Sequence, residues 1–201
     1  MKKLTAVVLM FSVFYVCTIV SAAELDADFY YQMGDTHYSD GEFDKAIEAY
    51  SRAISLRPYL YRAYYNRGLA YYKKGKYDEA IADFTVAESK YPQNAELFSN
   101  RGLAYLKKGE YNKAIEDYTK VISLSPGVVE AYHNRGVAYA QAGEYDEAIE
   151  DYNKALAMKP DFVNAYVSRG VAFAKKAMAD FRKACEAGNK VACDNLKQIS
   201  Q

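Results

Sequence analysis

The sequence predicts an all-α protein, an α-solenoid of stacked antiparallel helix hairpins. Three observations predict it. The four prolines, Pro58, Pro92, Pro126 and Pro160, follow one another at intervals of 34 residues. Gly34, Gly68, Gly102, Gly136 and Gly170 keep the same interval, as do Gly41, Gly75, Gly109 and Gly143. Between these markers apolar side chains recur at spacings of three and four, the period of a helix face. A repeat of this length is a supersecondary unit that buries its apolar face only against its neighbours.

The first 23 residues stand outside the period. Lys2 and Lys3 are followed by an uncharged, mostly apolar run from Leu4 to Val20, then by Ser21, Ala22 and Ala23. This is the pattern of a cleavable secretory leader ending at Ala23. An uncleaved membrane anchor is the alternative, although the run is near the lower length limit for a spanning helix. Phe14, Tyr15 and Val16 are too bulky to make Cys17 a lipidation site.

One unit is represented by Tyr61 to Asn94. Tyr64, Gly68, Tyr71 and Tyr72 give Arg62–Lys74 a helical stripe, which Gly75-Lys76 breaks. Asp78 stands where an N-cap or first-turn acid is favourable. Ala80, Ile81, Phe84 and Ala87 then give Asp78–Lys90 a second stripe. Pro92 lies just past it and cannot continue the helix. Each unit is thus two helices and a tight turn, with small residues where the helices must lie close and aromatics filling the gaps.

The pattern resembles the tetratricopeptide repeat family. The matching residues are Tyr64, Gly68, Tyr71, Gly75, Tyr77, Ala80, Phe84, Ala87 and Pro92 in one copy. Phe98, Gly102, Tyr105, Tyr111, Ala114, Tyr118 and Pro126 match in the next, and Tyr132, Gly136, Tyr139, Tyr145, Ala148, Tyr152, Ala155 and Pro160 in the one after. Arg67, Arg101 and Arg135 depart from the leucine usual before the glycine, and Val121 replaces a small alanine. Four copies cover 27–162. The resemblance implies a right-handed α-solenoid whose concave face is lined by the first helix of each repeat.

A fifth copy opens with Tyr166, Gly170 and Phe173 and then lacks the five residues of its turn, between Lys176 and Ala177. Nothing from Val171 to Ala187 breaks a helix, so one continuous helix is expected from about Val163 to Ala187, stopped by Gly188. Residues 163–201 are therefore expected to be a degenerate repeat and a C-terminal cap. The segment Ala184 to Leu196 resembles the Sel-like relatives of the repeat. That resemblance implies a disulfide between Cys185 and Cys193 across a turn at Gly188-Asn189. Two buried thiols are the alternative.

By the resemblance, the central stripe of the groove is Gln32, Asn66, Asn100, Asn134 and Ser168. It is flanked by Tyr31, Tyr65, Ser99, His133 and Val167, by Asp35, Leu69, Leu103, Val137 and Val171, and by Tyr38, Tyr72, Leu106, Ala140 and Ala174. An asparagine amide both donates and accepts. A ladder of Asn66, Asn100 and Asn134 could therefore hold the backbone of an extended peptide. Tyr31, Tyr38, Tyr65 and Tyr72 are its candidate aromatic anchors, with Leu69, Leu103 and His133 beside them. The alternatives are local bonding for the asparagines and helix–helix packing for the tyrosines. Asp28, Glu96 and Glu130 near first-helix starts, with Lys73, Lys107 and Lys175 near first-helix ends, would give the groove two charged edges or simply complement the helix dipoles. The heat-shock carboxylate clamp of some relatives is absent, because its places hold Tyr31, Asp35, Asn66, Glu96 and Asn100.

The chain has 26 basic and 26 acidic residues, which is no polybasic footprint for nucleic acid. His37 and His133 occupy different repeat slots, neither with metal-ligand spacing, and no phosphate loop or nucleophile elbow is present. The sequence thus predicts a non-enzymatic scaffold with no cofactor, no metal and no small-molecule substrate. It would be exported to a bacterial periplasm or secreted, or anchored to the membrane if residues 1–23 are retained, and would bind a protein or peptide in its groove. An envelope assembly factor or chaperone, or an accessory subunit of a membrane or secretion complex, is the alternative.

Overall fold

The computed structural model of the chain describes residues 27–199. The expected leader at 1–23, with Cys17, lies outside the described residues. The chain divides into two compact units, one up to Pro92 and one from Gln93. The described part of the first unit holds α1 (27–39), α2 (Phe43–Leu56), α3 (Tyr61–Lys73) and α4 (Tyr77–Glu88). The second holds α5 (Ala95–Lys108), α6 (Tyr111–Leu124), α7 (Val129–Ala142), α8 (Tyr145–Met158), α9 (Val163–Glu186) and α10 (Lys190–Ile199).

Each regular repeat is a hairpin because one residue lets the chain reverse. Gly109 and Gly143 end α5 and α7 in the left-handed region, at φ 78° and 89°. There a side chain would be strained and glycine is not. The Gly109 and Glu110 amides then satisfy the Leu106 and Tyr105 carbonyls at 3.1 and 3.0 Å. Asp78 falls in the first turn of α4 and not at its cap, which is Lys76.

The glycines seven residues, about two helix turns, earlier have a different reason to be small. The ring of Tyr152 on α8 lies so close to Gly136 on α7 that an added Cβ would sit 2.7 Å from it. Gly34 meets Tyr50, Gly68 meets Phe84 and Gly102 meets Tyr118 in the same way. Ala46, Ala80, Ala114 and Ala148 are fully buried beside them. The small and aromatic series are thus the two halves of one contact, an aromatic knob from the second helix in a glycine slot on the first. Such contacts are sensitive to a single methyl group.

The arginine that precedes Gly68, Gly102 and Gly136 reaches from the first helix to the second. Arg67 grips Asp83 at 2.7 and 2.8 Å, Arg101 grips Asp117 at 2.9 and 2.8 Å, and Arg135 grips Asp151 at 2.8 and 2.8 Å. The pairs are bidentate and the aspartates buried. Removing one partner from such a pair costs about 3–5 kcal/mol, because the other is left charged without water. The same guanidinium also donates backwards: Arg67 to Ser51 Oγ, and Arg135 to Thr119 Oγ1. One side chain therefore ties a hairpin to itself and to the second helix of the hairpin before it.

In the fifth copy α9 runs unbroken through Lys176, as expected from the five missing residues, and ends before Gly188 at φ 93°. Asn189 Oδ1 accepts from the Ala192 amide at 3.0 Å and starts α10, which packs back on α9. Cys185 and Cys193 lie face to face across this turn, Cα atoms 4.7 Å apart, with their sulfurs at bonding distance. Lys175 lies in the middle of α9, so the fused helix removes it from any charged edge at a helix end.

Candidate peptide-binding site

In the first unit the predicted groove residues converge on a recess of about 200 Å³, lined by Asp35, Tyr38, Ser39, Tyr50, Asn66 and Leu69. Three of these, Tyr38, Asn66 and Leu69, are among the residues predicted from sequence. Asp35 was placed in a flanking row and not among the candidates. Its signal is its register: the same slot holds Leu69, Leu103, Val137 and Val171 in the other copies. Tyr50, from the second helix, was read only as repeat aromatic.

Asn66 does not present a free amide here. Its Nδ2 donates to Tyr31 Oη at 2.9 Å and to Asp35 Oδ1 at 2.8 Å. Tyr50 Oη donates to the same Asp35 oxygen at 2.7 Å. Burial, and then the Asp35 carboxylate, raise the pKa of both phenols above the ordinary tyrosine value, so both stay protonated. Ser39 Oγ donates to its own helix, at the Asp35 carbonyl, at 2.9 Å. The donors of Asn66, Tyr50 and Ser39 are thus already spent. What these residues have left over is acceptor capacity, on the Asn66 carbonyl, the second Asp35 oxygen and the Ser39 oxygen, while the Tyr38 hydroxyl in the same lining can donate or accept.

The candidate aromatic anchors pack as well as face outward. Tyr31 and Tyr38 on α1 meet Tyr50 and Phe43 on α2, with ring centres 5.9 and 5.5 Å apart. Tyr65 and Tyr72 on α3 meet Phe84 and Tyr77 on α4, at 5.7 and 5.6 Å. All four are half-buried. Arg62 lies over the Tyr31 ring at 4.3 Å. Asp28, read as an edge acid, is instead held by Arg57, at 3.0 and 3.2 Å, and by Arg62. The Arg57 hydrogen bond, with Arg62 beside it, keeps the Asp28 carboxyl below its usual pKa.

A larger recess of about 600 Å³ in this unit is lined by α1 and α2, among them Tyr30, His37, Glu48 and Arg52, and includes none of the predicted groove residues.

The second unit carries the remaining candidates. Asn100 and Leu103 are half-buried on α5, and His133 and Asn134 on α7. His133 sits between Asn134 Oδ1, 3.3 Å from Nδ1, and Ser168 Oγ, 3.2 Å from Nε2. Its ring packs on Tyr152 and Phe162, with centres 5.7 and 5.1 Å away. Burial lowers its pKa, against the pull of Asn134. The second unit therefore presents a neutral, partly enclosed histidine in the slot of Tyr31, while the slot of Asp35 holds Leu103 and Val137 there.

Two family profiles match this sequence. One, described as TPR repeat, matches 34–75, 68–109 and 102–143; the other, described as tetratricopeptide repeat, matches 129–162. Together they span more than half of the chain. The chain belongs to the tetratricopeptide repeat family. Among solved structures it is similar to MamA, at 28% identity and TM-score 0.72, over 87% of this chain and 90% of that one. It is also similar to the second tetratricopeptide domain of human RPAP3, solved in complex with an HSP70 peptide, at 32% identity and TM-score 0.53, over 54% of this chain and 91% of that one. The first such domain of Spaghetti (RPAP3), bound to an HSP90 peptide, matches at 29% identity and TM-score 0.55, over 58% and 93%. No curated protein sequence matches the chain. Among the described residues no helix is long and apolar enough to cross a membrane.

Proposed function

We propose that this tetratricopeptide protein is an exported, non-enzymatic scaffold that holds a peptide or protein segment against the first helices of its repeats. Family membership supports a binding role, and the peptides bound to the two RPAP3 domains support a segment of a partner protein as the ligand. The leader-like residues 1–23 and the paired cysteines near the C-terminus support export to an oxidising compartment.

The observation that carries the reading is the recess around Asp35. The donors of Asn66, Tyr50 and Ser39 are spent internally, and the Asp35 carboxylate gives the recess its one formal charge. It therefore suits a ligand that donates: a backbone N–H, or the cation of a lysine or arginine. A ligand's terminal carboxylate would meet the Asp35 carboxylate and be repelled. The reading thus differs from a carboxylate clamp in the sign of the group it takes.

An array of peptides probed with the purified protein tests this. Retained peptides should be rich in lysine and arginine, and Asp35→Ala should release them. Retention of acidic-tailed peptides by the native protein, or no loss with Asp35→Ala, would refute the recess. Asn66→Ala, Asn100→Ala and Asn134→Ala combined should weaken every retained peptide alike, because the ladder contacts backbone; unchanged binding would exclude it.

A further inference from the structure

In α9 the two halves of a hairpin are joined end to end. Tyr166, Gly170 and Phe173 repeat the first-helix face of Tyr132, Gly136 and Tyr139. Ala177, Asp180, Phe181 and Ala184 repeat the second-helix face of Ala148, Asp151, Tyr152 and Ala155. Without the turn, the glycine slot and its aromatic knob lie on one straight helix and cannot meet. Phe181 lies eleven residues, about three helix turns, from Gly170 and cannot reach it while α9 stays intact.

The slot is accordingly empty. Gly34, Gly68, Gly102 and Gly136 each have an aromatic ring against them, but nothing lies within 4 Å of the Cβ position at Gly170. The side chains that frame it are exposed: Tyr166 by 49% and Phe173 by 52%. Beside them Val167 and Val171 are exposed as well. The charge pair is split too. Arg169 keeps the backward bond, to Asn153 Oδ1, but its forward aspartate would be Asp180, eleven positions along the same helix. Among the described residues Arg169 makes no ion pair, and Asp180 is exposed.

Tyr166, Gly170, Phe173, Ala177, Phe181 and Ala184 fall on one face of α9, at spacings of three and four. Ala165 and Ala172, which bury against α8, lie on a different face. The stripe carries no charged side chain; Tyr166, Gly170, Phe173 and Ala177 are exposed, and Phe181 and Ala184 are half-buried. It is also its own complement. In the regular repeat Gly136 meets Tyr152 and Arg135 meets Asp151. The corresponding pairs here are Gly170 with Phe181 and Arg169 with Asp180. Tyr166 with Ala184 and Phe173 with Ala177 complete the set. All four pairs share a midpoint at Lys175, to within half a residue. Two antiparallel copies of α9 crossing at Lys175 would make every one of these contacts twice.

We propose that the occupant of this face is a second copy of the chain, in a two-fold symmetric dimer that exchanges the second half of α9. Each copy supplies the knob Phe181 and the carboxylate Asp180 to the slot Gly170 and the guanidinium Arg169 of the other. The contact is isologous, because the same stripe serves both sides and the pairing closes on itself. It runs the length of α9, about 36 Å for 24 residues at 1.5 Å rise. It rebuilds two hairpin interfaces of the kind each regular repeat contains. Loss of a hinge loop is a recognised route to such an exchange.

Sedimentation equilibrium of the full chain across the micromolar range tests it. The native protein should be a dimer. Asp180→Arg, which within the chain removes only an exposed charge near Lys176, should weaken dimerisation by more than about tenfold, because two arginines then face each other. Arg169→Asp should do the same, and the two together should restore the dimer. Insertion of Gly-Glu-Tyr-Asp-Glu, the sequence of 143–147, between Lys176 and Ala177 should return the hairpin to its own chain and give a monomer with unchanged helix content. A native monomer would overturn the proposal. So would a dimer indifferent to Asp180→Arg and to the insertion, since it would use another surface. Should Arg169→Asp fail to fold through loss of the Asn153 bond, Asp180→Arg and the insertion still decide the matter.

Discussion

At the residue scale the chain is governed by a few positions whose size or charge is fixed by what lies opposite. Gly136 is one. Its Cβ position falls 2.7 Å from the Tyr152 ring and 3.2 Å from the Ala148 carbonyl oxygen, a backbone atom that cannot swing away. Gly136→Ala should therefore destabilise the protein by about 1–3 kcal/mol, read as a lower urea midpoint at unchanged slope. His133 is another. Burial lowers its pKa, so the folded state binds its proton less readily than the unfolded chain does. The sign follows: this contribution is complete above the unfolded value of about 6.5 and is lost as pH falls from there through the folded value. Glu130 is its charged neighbour, and Asn134, Ser168 and the Asn164 backbone its polar ones. The urea midpoint should drop between pH 7 and pH 5, and the drop should be smaller in His133→Gln. An equal drop in the variant would assign the effect to other groups.

At the element scale, the helices were legible because periodicity, glycine and proline mark their faces and ends on the chain itself. What the sequence left open was which roles the polar residues of those helices take. Arg67, Arg101 and Arg135 read as departures from a leucine. Their partners are sixteen positions away on another helix, and only folding brings them together. Asn66 reads from sequence either as a ladder rung or as a locally bonded amide, and its amide is taken up by Tyr31 and Asp35. The α9–α10 turn carries a prediction at this scale. Cys185 and Cys193 should be oxidised in protein isolated from an oxidising compartment, with no thiol labelling before reduction. Replacing both by alanine should cost about 2–4 kcal/mol by releasing the unfolded chain from a short loop. Labelling of both thiols in the native protein would restore the reading of two unbonded cysteines.

At the scale of the whole molecule, the regular repeats and the irregular one divide the work. The regular copies place first-helix side chains in series, and in the first unit they gather Asp35, Tyr38, Asn66 and Leu69 around one recess. The fifth copy does not complete itself and leaves an apolar, self-complementary stripe whose Tyr166–Ala177 part is exposed. Dimerisation through that stripe would hold two sets of recesses on one particle. A partner offering two segments would then bind more tightly than either contact alone predicts, provided its spacing lets both engage. The Asp180→Arg protein should keep the array peptides retained by a single copy, since Asp35 is unaffected, while losing the dimer.

The sequence by itself determined the repeat, its two-helix form, the lost turn of the fifth copy and the family, because each is a regularity of spacing along one chain. The family resemblance placed Tyr38, Asn66 and Leu69 in one groove because all three lie on the groove-lining face of a first helix. Tertiary structure decided the rest. It showed that Asp35 and Tyr50 line the recess, that the arginines clamp buried aspartates, and that Gly170 has no ring to fill it. Hydrogen-bond capacity and empty space depend on what is opposite, and what is opposite comes from distant parts of the chain.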